Sequence, residues 1–261
     1  QVALGAMMSG GTYDGTTRFK VRGQDMPHWV GSFAEATIVP ETACVKIRKD
    51  APLDKACLVG CGVMTGVGAV LNTAKVEEGA TVAVFGAGGV GLNVIQGAAL
   101  AGAERIIAVD MREEKLERAR TFGATDGIDA SQVDAVKALR ELTAGRGVDY
   151  AFEVIGRKET IERALAATRR GGTCVVVGIA DTRETVTLNA FGIPFFEKRL
   201  LGCWYGSADV HRDVPKLLDF YRQGRLKIDE LVTRTYHLAD VNEAFADMAA
   251  ATTARGLIVF F

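Results

Sequence analysis

The chain has 261 residues, 48% of them hydrophobic, enough to bury a substantial core in one large domain or two of ordinary size. Its 31 basic and 32 acidic residues nearly cancel, and no basic stretch is long enough to track a phosphate backbone, so nucleic acid is not an expected partner. No apolar run reaches the roughly 18 residues of a membrane span, and no charged leader with an apolar core opens the chain, so no membrane association is expected and the cytoplasm is the default compartment.

Five cysteines, at positions 44, 57, 61, 174 and 203, form no CxxC pair and no framework spacing. That argues against a secreted disulfide scaffold and against a self-contained zinc knuckle, and leaves reduced thiols. The chain opens at Gln1 in what reads as the middle of a domain, so an upstream segment is expected.

From Ser32 to Ile47, SFAEATIVPETACVKI reads as two short strands with Pro40 and Glu41 as the turn between them. In CLVGCGVMTGVG (57–68), Cys61 stands between glycines just ahead of a helix whose apolar residues Met64, Val67, Val70 and Leu71 recur at helical spacing. Gly79 ends the segment that follows. A strand-helix alternation then persists, the α/β pattern of a doubly wound parallel sheet with helices on both faces. TVAVFG (81–86), RIIAVD (105–110), VDYAFEVIG (148–156) and TCVVVGI (173–179) read as strands, and their Val and Ile runs suit burial on both sides. Helices cover 90–101 and 113–122, with Gly123 as a C-cap; two more are marked by Val133, Val136 and Leu139, and by Ile161, Ala164 and Leu165. Beyond Thr185 the pattern loosens, then gives helices near 213–223 and 240–250, the second with Asp240 and Glu243 as a capping box. The chain closes on a buried strand in GLIVFF. No repeat or low-complexity linker interrupts it, so domain boundaries are expected near 62 and 205.

GAGGVG (86–91) fits G-x-G-x-x-G in a strand-turn-helix-strand context. Gly86 allows the tight turn, Gly88 and Gly89 let a pyrophosphate approach the backbone, and Gly91 permits close helix packing, with Val90 beside it. The helix start supplies free N–H groups and partial positive charge. Asp110, ending the next strand, can accept hydrogen bonds from ribose hydroxyls and repels a 2′-phosphate, which favours NAD over NADP although Arg112 stands close by. Two other readings stay open: a glycine turn that only packs a helix, with Asp110 capping the next one, and a methyltransferase, whose fold also uses a glycine-rich first turn.

PLDKACLVGCGVMTGVGAVLNTAKV, VAVFGAGGVGL, GAERIIAVD, KLERARTFGAT, VDYAFEVIG and the terminal ARGLIVFF together resemble the zinc-dependent medium-chain alcohol dehydrogenases, in particular their class III-like branch. The resemblance runs through essentially the whole chain. It implies a Rossmann NAD-binding domain over 63–205, with 1–62 and 206–261 both belonging to a β-rich GroES-like catalytic domain. It also implies that Cys61 is a ligand of a catalytic zinc; without it, a buried inert thiol would be the simpler reading. Cys44, Cys57, Cys174 and Cys203 read as core thiols, and His28, His211 and His237 as surface residues. The family's other zinc ligands lie upstream of what Gln1 resembles, so this chain alone is expected to be inactive.

Carried over in the same way, Thr65 and Val90 pack on the nicotinamide, and backbone atoms at Val177, Cys203 and Tyr205 hold its carboxamide. Lys115 reaches the adenosine ribose and Arg255 approaches the pyrophosphate. The implied activity is hydride transfer between a primary or secondary alcohol and NAD, or oxidation of an S-hydroxymethyl thiol adduct. A nucleotide-binding redox sensor or scaffold without catalysis is the reading of another class. The apolar LNAFGIPFF and RLLGCWYG runs imply an edge strand that pairs in a homodimer or homotetramer.

Overall fold

A computed structural model describes residues 16–17, 19–26, 32–37, 39, 41–250 and 253–260. The chain divides into two compact units, one of residues 1–46 with 234–261 and one of 47–233. The boundaries expected at 62 and 205 fall inside the second unit. The cause is packing: the helix around Cys61 lies along the first helix of the sheet domain, and the helix after 205 packs in turn on the helix around Cys61.

The second unit is built on a six-stranded parallel sheet. Its strands are β3 (Thr81–Phe85), β4 (Arg105–Asp110), β5 (Asp126–Asp129), β6 (Val148–Glu153), β7 (Thr168–Val176) and β8 (Arg199–Gly202), in spatial order β5-β4-β3-β6-β7-β8. Numbered from β3, this is the 3-2-1-4-5-6 order of a doubly wound dinucleotide fold, with its switch point between β3 and β6. Every residue of β3 is buried, as a central strand covered on both faces requires. Phe85, Ile107 and Val109 form one core cluster with Leu139, Leu165 and Cys174. Val82 and Val84, pointing the other way, are equally inaccessible. Burying each such aliphatic side chain is worth about 1.5–3 kcal/mol.

The helices of this unit are α1 (Leu53–Ala74), α2 (Gly89–Leu100), α3 (Glu113–Thr121), α4 (Ala135–Leu142), α5 (Lys158–Ala167), the short α6 (Gly192–Phe195) and α7 (Val210–Arg222). Element types agree with the sequence reading, and bounds shift by a few residues. Gly123 takes φ +111° just past α3, the left-handed C-cap expected of it. β5 was not expected: Asp-Gly-Ile-Asp has no apolar run, and becomes a strand because β4 offers it a ladder.

Three expectations are corrected here. The helix around Cys61 begins at Leu53, so Cys61 lies within it rather than ahead of it. The sequence hides this because α1 is apolar nearly all round and has little periodic contrast. It is 22 residues long and holds an 18-residue window of mean hydropathy 1.6, so it also meets the length and composition of a membrane span, against the expectation that no run did. Half of that stretch is buried against the domain, with α2 as its main neighbour. Finally, Cys44 and Cys57 are exposed and Cys203 is half-buried; of the thiols expected in the core, Cys174 alone is fully buried.

In the first unit, β1 (Phe19–Val21) and β2 (Gln24–Met26) form a short antiparallel hairpin, and β9 (Val232–His237) pairs with β10 (Arg255–Val259) beside α8 (Val241–Ala249). The two strands expected in 32–47 do not form among the described residues, which instead hold a single 3-10 turn, Glu41–Ala43. A strand needs a neighbour to pair its N–H and C=O groups, and none is offered there. β10 is half-buried rather than buried. Asp240 makes no side-chain cap on α8, because it ends a 3-10 turn, Leu238–Asp240, with φ −94° and ψ 16° instead of the extended backbone of an N-cap, and Glu243 pairs with Arg234 of β9.

Candidate coenzyme and metal site

β3 runs directly into the glycine-rich turn. Gly86 takes φ +100°, a conformation other residues disfavour. A Cβ on Gly91 would stand 1.8 Å from the Gly86 carbonyl oxygen, so α2 can begin this close to the strand only with glycine there. A Cβ on Gly88, by contrast, would meet nothing within 4 Å. That side of the turn is open, and the first N–H groups of α2, at Gly89 and Val90, lack partners within the helix.

Asp110 ends β4 beside this turn. Its Oδ2 accepts the Ala87 N–H at 2.8 Å, and its Oδ1 accepts those of Met111 at 2.8 Å and Arg112 at 3.3 Å. Lys115 Nζ lies 3.9 Å from the same carboxylate. Both the capping reading and the binding reading of Asp110 are therefore physically apt, since Oδ1 is filled by two N–H groups while Oδ2 accepts one and keeps a lone pair. Arg112 is turned to Glu114. These residues border a cavity of about 600 Å³, lined by Gly86, Gly88, Asp110 and Lys115 together with Ile155 and Arg163. It opens at the carboxyl ends of the strands beside the switch point, where dinucleotides bind in this topology. A wider groove at the amino ends, about 730 Å³, is lined by Arg105 and Asp126, already paired at 2.8 Å.

The remaining expected contacts divide by unit. Val177 is 8% exposed, and its N–H donates to the Glu153 carbonyl at 2.8 Å; the Cys203 N–H donates to the Val176 carbonyl at 2.9 Å. What these two offer a carboxamide is their carbonyl oxygens. Thr65 is half-buried on α1. The half-buried Tyr205 hydroxyl donates to the Gly60 carbonyl, next to Cys61. Burial pushes the Tyr205 phenol above its ordinary value, and the charged form of Cys61 adds to this. Arg255 opens β10 in the first unit.

Sequence reasoning missed Glu153, at the end of β6 and fully buried. Its Oε1 accepts the N–H groups of Ile155 at 2.9 Å and Gly156 at 2.8 Å, and the Thr160 hydroxyl at 2.7 Å. It thereby shapes the turn that carries Ile155 into the cavity wall. Inside the strand-like run VDYAFEVIG it gave no periodic signal.

Cys61 is exposed, inside a π turn of α1, Val59–Val63. Such turns are rare and concentrate at functional sites. Among the described residues, however, no three His, Cys, Asp or Glu side chains gather as a metal-binding group. His211 and His237 are exposed, as expected, and His28 lies outside the described residues. The described donors therefore do not by themselves make a zinc site, which takes three or four protein ligands. The coenzyme pocket, in contrast, fits a dinucleotide in turn, charge and size.

This fold and turn define a class, and comparison with known proteins agrees. Residues 89–223 match the family model of the zinc-binding dehydrogenases, and the chain belongs to that family. It is 40% identical to the class-3 alcohol dehydrogenase of Cereibacter sphaeroides over 258 residues, 95% of this chain and 68% of that protein. It is 39% identical to the S-(hydroxymethyl)glutathione dehydrogenase of Paracoccus denitrificans, again over 95% of this chain and 68% of that one. The crystal structure of an alcohol dehydrogenase zinc-binding domain protein from Burkholderia ambifaria superposes with a TM-score of 0.93 at 32% identity, covering 99% of this chain and 71% of that one. The chain is thus a medium-chain alcohol dehydrogenase of the class III-like branch, spanning about two thirds of the length of these relatives. Zinc and NAD are the cofactors of that branch.

Proposed function

We propose that this chain carries the coenzyme-binding part of an NAD-linked dehydrogenase that moves a hydride between a primary or secondary alcohol and nicotinamide. The observation that carries this reading is the cavity at the switch point, where the Gly86–Gly91 turn and the Asp110 carboxylate face one space. NAD, when bound, supplies the hydride acceptor. The chain's own share is binding and orientation. The α2 N-terminus receives the pyrophosphate, Asp110 and Lys115 take the adenosine ribose, and Val177 and Cys203 present carbonyls to the carboxamide. Among the described residues no His, Cys, Asp or Glu cluster completes a metal site around Cys61, the ligand that the family resemblance implies. For the same reason the chain alone is proposed not to oxidise alcohols.

A second substrate reading, oxidation of an S-hydroxymethyl thiol adduct, is favoured by the relative of that name at 39% identity. A reducing compartment, the cytoplasm, suits the unbridged cysteines. A homodimer or homotetramer is supported by β8, at the edge of the sheet, and by the exposed rings of Phe191, Phe195 and Phe196 nearby. Titration calorimetry with NAD and NADP tests the central claim. Saturable one-site NAD binding is the expected result, and its absence would overturn the reading.

A further inference from the structure

The backbone after β8 is unusual. Tyr205, Gly206 and Ser207 take φ of 53°, 68° and 48°, three left-handed residues in a row, although two of them carry side chains that disfavour that region. Such a run persists only where its surroundings over-determine it.

α1 supplies most of that surround. A Cβ on Gly68 would stand 2.5 Å from the Gly206 carbonyl oxygen, so helix and turn meet backbone to backbone. Asn72 Nδ2 donates to that carbonyl at 3.1 Å and to Asp213 Oδ2 at 3.2 Å. Thr73 Oγ1 lies 2.7 Å from Ser207 Oγ and donates to Cys203 Sγ at 3.3 Å. Asp213, 5% exposed at the start of α7, is itself held by the Arg212 guanidinium at 2.7 and 2.9 Å and by the Asp209 N–H at 3.0 Å. A buried carboxylate polarises the amide that donates to it, so Asn72 grips both partners more firmly than a neutral pair would.

We propose that the Asn72–Asp213 pair is a positioning device for the nicotinamide half of the coenzyme. It holds the 203–207 turn so that the backbone of Cys203 and Tyr205 is set before the carboxamide arrives, and neither side chain touches the coenzyme. This rests on the dinucleotide reading above. Pre-setting the turn removes an ordering cost from binding, and it acts on the nicotinamide half alone, because the turn follows β8 while the adenosine pocket lies on β3 and β4.

The test is calorimetry on the full chain with two probes, NAD and ADP-ribose, which lacks the nicotinamide. Asn72→Ala keeps a good helix former in α1 and is expected to weaken NAD binding about tenfold while leaving ADP-ribose within about twofold. Asp213→Ala should behave alike. Asp213→Asn, which keeps an acceptor oxygen, should recover most of the NAD affinity. If Asn72→Ala leaves the ratio of the two affinities unchanged, or lowers both together, the pair is merely structural and the proposal is overturned. A parent chain that binds ADP-ribose no less tightly than NAD also overturns it. A parent that binds neither probe sinks the dinucleotide reading itself, and the proposal with it.

Discussion

The Asp110 carboxylate accepts the Ala87 N–H at 2.8 Å, tying the end of β4 to the glycine-rich turn that ends β3. One side chain thus shapes the turn and presents a negative charge to the cavity proposed to receive the adenosine ribose. Asp110→Asn separates these roles, since an amide oxygen still accepts from Ala87 but no longer repels a 2′-phosphate. The variant should lose about 1–2 kcal/mol of stability, because the amide nitrogen cannot replace the oxygen that accepts from Met111 and Arg112, and should move the NAD-to-NADP affinity ratio about tenfold toward NADP, as measured by calorimetry.

Two neighbouring glycines should respond oppositely. Gly91→Ala forces a Cβ onto the Gly86 carbonyl oxygen, so we expect about 2–4 kcal/mol of destabilisation in urea unfolding. Gly88→Ala meets no protein atom and should leave stability within about 0.5 kcal/mol, yet weaken NAD binding because its methyl enters the pyrophosphate approach. Equal stability of the two variants would contradict the geometry.

Acid sensitivity should follow Asp149 at the start of β6. Burial pushes its carboxyl up, but the Thr81 N–H at 2.7 Å and the Arg169 guanidinium outweigh burial and hold it below the usual carboxylate range. A folded value below the unfolded one means a contribution that is complete above the ordinary aspartate value of about 3.9 and lost as the pH falls through the folded value. Asp149→Asn should therefore lower stability at pH 7 by about 1–2 kcal/mol and converge on the parent near pH 2. Denaturant midpoints across that range would check this.

The thiols should react in an order set by exposure. Cys174 is fully buried on β7, and burial, with the Glu153 charge adding, pushes its thiol up to about 12. Iodoacetamide at pH 8 should label exposed Cys61 before Cys57, whose thiol is pushed up by burial and by Asp54, and reach Cys174 only in denaturant, as peptide mass spectrometry would show.

The edge of the sheet offers a test of assembly. Phe195 is 54% exposed and stacks on Phe191, with centroids 4.7 Å apart. If β8 and these rings form a subunit contact, Phe195→Glu should yield monomers in sedimentation velocity where the parent sediments as a dimer or larger. A monomeric parent would dismiss the homo-oligomer.

How much could be read in advance varied with the range of the interaction involved. β3, α2 and β4 were legible because Val-rich strands, a glycine turn and Asp110 follow one another within a short stretch. β5 was not, since Asp126–Asp129 has no apolar pattern and owes its conformation to β4. The start of α1 was obscured by residues apolar on every face. In the site, Gly86 to Gly91 were legible as one turn between β3 and α2 because each acts through its own backbone, and that turn is the one that forms. Glu153 and the Asn72–Asp213 pair escaped notice because their partners lie on other elements.

Taken alone, the sequence determined the parallel α/β architecture, the dinucleotide turn and the candidate role of Asp110, all consequences of local periodicity and local backbone chemistry, while the candidate role of Cys61 came from the family resemblance. Only the tertiary structure decided that Cys61 sits within a helix, that Gly91 must lack a Cβ, and that α1 clamps a left-handed turn from more than a hundred residues away. Those facts depend on which backbones approach one another. No pattern within one segment records such an approach.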